Sequence, residues 1–150
     1  MRVVIQRVSM AEVEVQGRTV GRIGPGLAVL VAVCAGDTDR DLAFIRKKIL
    51  QLRIFPDEAG RMNRSLLETG HSILLVSQFT LYGDCRKGNR PSFSRAAPPT
   101  AAREVYRRLA ESLREPGVVV ETGRFGAMMD LSLVNDGPVT LIVDSRKDVY

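Results

Sequence analysis

The apolar run Leu27–Ala35 constrains this chain more than any other stretch. It is rich in β-branched residues, too short for an ordinary helix, and bounded by Gly24-Pro25-Gly26 and Gly36. A run without polar alternation must bury both of its faces, which is the mark of a central strand covered on each side. Ile73-Leu74-Leu75-Val76 reads the same way and leads through Ser77 and Gln78 to Phe79. Around these two runs the other elements must form covering layers. Met1–Val8, the strictly alternating Glu12–Val15, and Thr19–Ile23 beyond the turn Gln16-Gly17-Arg18 read as strands. Val118–Val120, Met128–Val134 and Val139–Val143 read as the last ones. Gly21, Gly24 and Gly26 read as turn glycines.

Two helices are expected. Thr38 and Asp41 have capping-box spacing, and Leu42, Ile45, Ile49 and Leu52 then form one apolar stripe. Arg46, Lys47 and Lys48 take the other face, Pro56 ends the element, and Asp57-Glu58-Ala59-Gly60 makes a turn. The second helix starts near Thr100, buries Ala102, Val105, Leu109 and Leu113, and stops at Glu115-Pro116-Gly117. Tyr82–Pro98 lacks hydrophobic periodicity and is a loop. The order predicts an α/β fold: one three-layer domain over residues 1–150, with mixed β-sheets, two main helices and a polar tail from about residue 145.

Exclusions narrow the chemistry. No apolar run approaches the roughly 18 residues of a membrane span, and no basic-then-apolar leader follows Met1, so a cytoplasmic protein without membrane partners is expected. Two isolated cysteines, Cys34 and Cys85, suggest neither a disulfide framework nor a metal knot. The one histidine, His71, follows Gly70 at a strand mouth, where an ordinary surface role fits it. A zinc-activated water lacks ligands. There is no Gly-x-Ser-x-Gly elbow, phosphate loop or dinucleotide fingerprint. No metal or cofactor is expected. The formal charge of +5, from 22 basic against 17 acidic residues, favours a polyanionic partner such as RNA, although many basic proteins bind nothing charged.

What remains is chemistry by positioned backbone and hydroxyl groups at two strand ends. Ser77-Gln78-Phe79-Thr80 can offer N–H donors to an ester oxyanion, and Thr80 can be a nucleophile or hold a water. Ser77 and Thr80 can equally do no more than close a strand on local backbone. The second stretch, Asn135-Asp136-Gly137-Pro138-Val139-Thr140, places a proline where it cannot join a β ladder, so it marks an edge, a turn or a strand start. A cis Gly137–Pro138 bond would turn two successive carbonyls to one side, able to grip an ammonium group.

These pieces resemble the D-aminoacyl-tRNA deacylase family, historically D-tyrosyl-tRNA deacylase. The resemblance rests on Ile5-Gln6-Arg7-Val8, Arg53-Ile54-Phe55, Ser77-Gln78-Phe79-Thr80-Leu81, Arg90-Pro91-Ser92-Phe93, Thr122-Gly123-Arg124-Phe125 and Asn135–Thr140, in order through nearly the whole chain. Tyr82-Gly83 departs from the small residues common there. The resemblance implies a homodimer that hydrolyses the ester joining a D-amino acid to the 3′ end of tRNA, and also removes glycine. It implies a pocket floor of Ser77, Gln78, Phe79 and Thr80, with Gly137 and cis Pro138 reaching in from the partner subunit. An L side chain would strike that Gly-Pro backbone, so selection would work by exclusion. Arg7, Lys87, Arg90, Pro91, Phe93, Phe125 and Met129 are the implied substrate and tRNA contacts, with Arg124 a further candidate for phosphate or ribose. DNA is not an expected partner. Two rival readings stand beside this one: an RNA-binding module without catalysis, and an editing domain like that of archaeal threonyl-tRNA synthetase.

Overall fold

The computed structural model describes residues 1–146. Strand β1, Arg2–Val15, is the spine, and three strands pair with it antiparallel: β2 (Arg18–Ile23), β3 (Gly26–Ala32) and β8 (Asp130–Asp144). Beyond β3 come β6 (Ser72–Ser77) and β7 (Val120–Thr122), both parallel to their neighbours, so the six-stranded sheet is mixed. Helix α1 (Asp39–Gln51) and helix α3 (Pro99–Arg114) supply the helical layer. Between them in sequence lie a small ribbon, β4 (Phe55–Pro56) with β5 (Met62–Arg64), and the short helix α2 (Leu66–Thr69).

The central runs bury both faces, as their composition demands. Leu27, Val29, Val31, Ile73 and Leu75 pack with Ile45, Ile49, Leu109 and Leu113 from the two long helices. The intervening residues Ala28, Leu74 and Val76 point the other way, onto Val8, Ala11, Val13 and Ile23. The far half of β1 therefore curls back over the sheet and brings β2 onto β6 and β7. One glycine makes that stacking possible, and another lets β3 approach β6 closely. A Cβ on Gly21 would lie 2.9 Å from the Thr122 carbonyl oxygen, and one on Gly26 would lie 2.0 Å from that of Ser72. These positions are close approaches of backbone to backbone, which corrects the turn reading; of the three, only Gly24 has open space around it.

Other expectations are corrected in detail. Met1–Val8 and Glu12–Val15 are one continuous strand, because β8 runs alongside both and absorbs the irregularity in register shifts at Gln6/Val8 and Val8/Met10. The last two expected strands are likewise one, β8, whose pairing with β1 lapses between Asn135 and Thr140. Helix α1 ends at Gln51 rather than at Pro56, which belongs to the ribbon, while its Thr38–Asp41 capping box is present. Ser65 and Glu68 form a second capping box on α2, a signal the sequence carried and that reading passed over. In α3 the aromatic Tyr106 and the small Ala110 join Leu109 and Leu113 inside, whereas Ala102 and Val105 are only partly buried.

The chain start and the expected tail meet. The Met1 amino group is fully buried, 2.9 Å from Asp37 Oδ1, and donates to Ser145 Oγ at 2.6 Å. Arg146 lies 3.0 Å from the same Asp37 oxygen. Ser145 also donates to Asp41; burial opposes ionisation there, but hydrogen bonds from Ser145 and Thr38 outweigh it and hold the Asp41 carboxyl well below the usual range. The rest of the expected tail lies outside the described residues. Among them, no helix is long and apolar enough to cross a membrane.

Candidate active site

The parallel strand β6 ends at Ser77, and the chain then turns at Gln78 into one turn of 3-10 helix, Phe79–Tyr82. The start of a helical turn leaves N–H groups without carbonyl partners. Gln78 donates to the Val31 carbonyl at 2.8 Å, Leu81 to that of Gln78 at 3.2 Å, and Gly83 to that of Thr80 at 2.8 Å. No backbone carbonyl among the described residues accepts from Phe79 or Thr80. The Thr80 side chain is exposed, and its hydroxyl accepts a hydrogen bond from the Gln78 carboxamide. Among the described residues, neither a histidine nor a carboxylate is bonded to it.

Phe79 is 57% exposed, far more than a core phenylalanine. Its ring meets that of Phe93 edge-on at 5.2 Å. Phe93 comes from the basic loop, which is closed by reciprocal backbone hydrogen bonds between Asp84 and Ser92, of 2.7 and 3.0 Å. Within it, Arg86 is committed to Asp84, and hydrogen bonds from the Arg86 side chain and backbone hold the Asp84 carboxyl below its usual range. Lys87, Arg90 and Pro91 stand exposed at the tip. The loop thus presents cations beside an aromatic pair at the mouth of the strand end.

Past β7 the chain places Gly123 against β6, its N–H donating to the Leu75 carbonyl at 3.1 Å. A Cβ there would meet Met129 Sδ at 2.7 Å and Val76 Cγ1 at 3.7 Å, so Met129 lies next to the end of β6. Phe125 packs on Tyr106, ring to ring at 5.7 Å, with Arg103 over its face at 5.2 Å. Tyr106 in turn donates to the Leu75 carbonyl at 2.8 Å. Phe125 and Met129 therefore border the same strand end as Ser77–Thr80.

The other stretch is elsewhere. Gly137–Pro138, a cis bond, forms an exposed corner of β8 where the ladder with β1 lapses. Gly137 has φ +116°, a region that L side chains avoid. Arg7 holds this corner from beneath. It is only 9% exposed; Nη1 donates to the Ile54 carbonyl at 2.5 Å, and Nε to the Asp136 carbonyl at 3.2 Å while lying 3.0 Å from the Asp136 carboxylate. Asn135 closes the base of the corner, its side-chain amide donating to the Arg7 and Val139 carbonyls at 2.9 and 3.0 Å. Sequence reasoning grouped Arg7 with the RNA contacts. In the structure its guanidinium is bonded to Ile54 and Asp136 and largely buried, while Lys87 and Arg90 are exposed. In the sheet, β1 and β3 separate β8 from β6. The corner and its own chain's Ser77–Thr80 therefore belong to strands three spacings apart, and are offset along the strands as well, since Arg7 pairs with Leu27 while Ser77 pairs with Val31.

The fold, a mixed sheet with a helical layer, recurs in solved structures. One titled c-Myc DNA Unwinding Element Binding Protein superposes with a TM-score of 0.90 at 40% identity, over 96% of this chain and 98% of that one. One titled a probable eukaryotic D-amino acid tRNA deacylase shares the fold, with a TM-score of 0.82 at 23% identity over 95% and 98%. The family described as D-Tyr-tRNA(Tyr) deacylase matches residues 4–144, and the chain belongs to it. It is an enzyme, a hydrolase acting on carboxylic ester bonds. D-aminoacyl-tRNA deacylases of a Geobacillus species (strain WCH70) and of Thermus aquaticus are each 58% identical to it over 147 residues, covering 98% of this chain and 97% of theirs.

Proposed function

We propose that this chain hydrolyses the ester between a D-amino acid and the 3′ end of tRNA, or glycine mischarged on tRNA-Ala, and works in the cytoplasm as a homodimer. One observation carries the reading: the Gly137–Pro138 corner is locked by Arg7 and Asn135, yet lies three strand spacings from its own Ser77–Thr80 end. A corner built that firmly and exposed that fully suits a neighbour's pocket better than its own.

The ester carbonyl sits over the start of the 3-10 turn, and the Phe79 and Thr80 N–H groups stabilise its oxyanion. Water adds to the carbonyl carbon, the bond to the ribose oxygen breaks, and that oxygen takes a proton as tRNA leaves. Among the described residues no histidine or carboxylate is bonded to Thr80, so the neighbouring ribose hydroxyl positions the attacking water. The partner's Gly137–Pro138 backbone stands where an L side chain would project. A D side chain points away from it, and glycine has nothing to clash. Exclusion by backbone rejects more strongly than a lost apolar contact, worth about 1–3 kcal/mol. Phe79, Phe93, Phe125 and Met129 border the pocket, and Lys87, Arg90 and Arg124 attract the phosphates.

The deciding experiment compares single-turnover hydrolysis of D-Tyr-tRNA and L-Tyr-tRNA. Rapid loss of the D ester alone is expected; equal rates would overturn the exclusion mechanism, and no hydrolysis would favour an RNA-binding module. Thr80→Val is expected to keep near-normal single-turnover rates. Complete loss with folding and binding intact would make Thr80 the nucleophile instead. Affinity for tRNA should fall steeply with salt.

A further inference from the structure

The 3-10 turn that carries the candidate oxyanion donors is short, and a single turn holds its shape poorly unless something outside fixes it. Its far end is fixed from β1. Arg2 Nη1 donates to the Leu81 carbonyl at 3.0 Å, and the Arg2 guanidinium carbon lies 4.9 Å from the centre of the Tyr82 ring. Arg2 is itself aimed by Asp144, directly across the β1–β8 ladder, through a 2.8 Å bond from Nε to a carboxylate oxygen with no solvent exposure. Tyr82 is buried against Ala32 and Cys34, at the end of the strand whose Val31 carbonyl receives the Gln78 N–H. Burial pushes its phenol far up, so the ring stays neutral beneath the guanidinium. One cation thus ties three elements, β1, β8 and the 3-10 turn, and reaches the turn at a backbone carbonyl.

We propose that Arg2, held by Asp144, is a positioning residue for the reaction: it fixes the Leu81–Tyr82 end of the 3-10 turn and thereby the aim of the Phe79 and Thr80 N–H groups. It touches no substrate. This rests on the hydrolytic reading above for its consequence, but not for its geometry. Because oxyanion donors act on the transition state, loosening their aim lowers kcat more than it raises KM.

Two variants test it. Arg2→Met leaves the Asp144 carboxylate buried and unpaired, so it is destabilised for that reason alone. The double variant Arg2→Met with Asp144→Asn neutralises that charge and is expected to regain most of the lost Tm. A merely structural role predicts that its activity returns with its Tm. The positioning role predicts that kcat on D-Tyr-tRNA stays down by about tenfold or more, with KM changed less than about twofold, since small misplacements near the reacting atoms cost up to about a hundredfold. Amide exchange gives a readout that needs no substrate. In the double variant, exchange at Leu81 and Gly83 should quicken about tenfold, with Ile73–Val76 unchanged. A stable double variant with wild-type exchange at those two amides would overturn the proposal. So would wild-type kcat, or a loss confined to KM. Failure of the substrate assignment would show separately, as an inactive wild-type protein.

Discussion

Arg7→Lys should loosen the Gly137–Pro138 corner without removing charge. In the structure the guanidinium reaches two acceptors that diverge, the Ile54 carbonyl and the backbone and carboxylate of Asp136. A lysine ammonium is a point donor on a flexible stem and can satisfy one of them, not both. The Ile54 link is buried and charge-assisted, worth about 1.5–3 kcal/mol. The Asp136 carboxylate is 51% exposed, so its ion pair adds less than about 1 kcal/mol. Losing one of the two links should cost about 1–3 kcal/mol, a drop of about 3–10 °C in Tm for a domain of this size. Thermal unfolding measures the first effect. The second is read from D-Tyr-tRNA and L-Tyr-tRNA in parallel: the D rate should fall modestly, while L turnover should rise as the corner yields. Wild-type Tm with an unchanged D-to-L ratio would refute the reasoning, because Arg7 would then not hold the corner.

Three further perturbations test other parts of the fold. Gly26→Ala puts a Cβ against the Ser72 carbonyl, so the β3–β6 pair must separate; a loss of about 3 kcal/mol or more is expected by urea unfolding. Asp37→Asn removes the negative charge shared by the Met1 amino group and Arg146, at a carboxylate only 1% exposed, and should cost about 3 kcal/mol with deacylation per folded molecule unchanged. Burial, reinforced by the charge of Arg64, holds His71 below its ordinary value of 6.5. The unfolded chain therefore takes up that proton first on acidification, so the stability His71 contributes is complete above pH 6.5 and is lost as pH falls through its lower folded value. His71→Gln should flatten that slope and leave the pH dependence of hydrolysis unaltered; a shifted rate profile would instead give His71 a part in the chemistry.

Much of this architecture follows from local pattern. Leu27–Ala35 and Ile73–Val76 had to supply covered strands, because nothing in them can face water, although β3 itself stops at Ala32. Thr38 and Asp41 mark the start of α1 by satisfying its free N–H groups, an interaction contained within four neighbouring residues. The Ser77–Thr80 and Asn135–Thr140 stretches stand out because polar residues and a Gly-Pro step end apolar runs. What local pattern cannot carry is which distant residues share a face. Gly26 looks like any turn glycine until Ser72, far along the chain, arrives against its backbone. Arg7 and Arg2 look like solvated cations, yet one is spent on Asp136 and Ile54 and the other on Asp144 and Leu81. Pairing across the sheet decides those partners, and the sheet exists only after closure of long loops. Residue types and their immediate neighbours set the elements and the reactive stretches; the curl of β1, the partners of each arginine and the distance between the two stretches belong to tertiary structure alone.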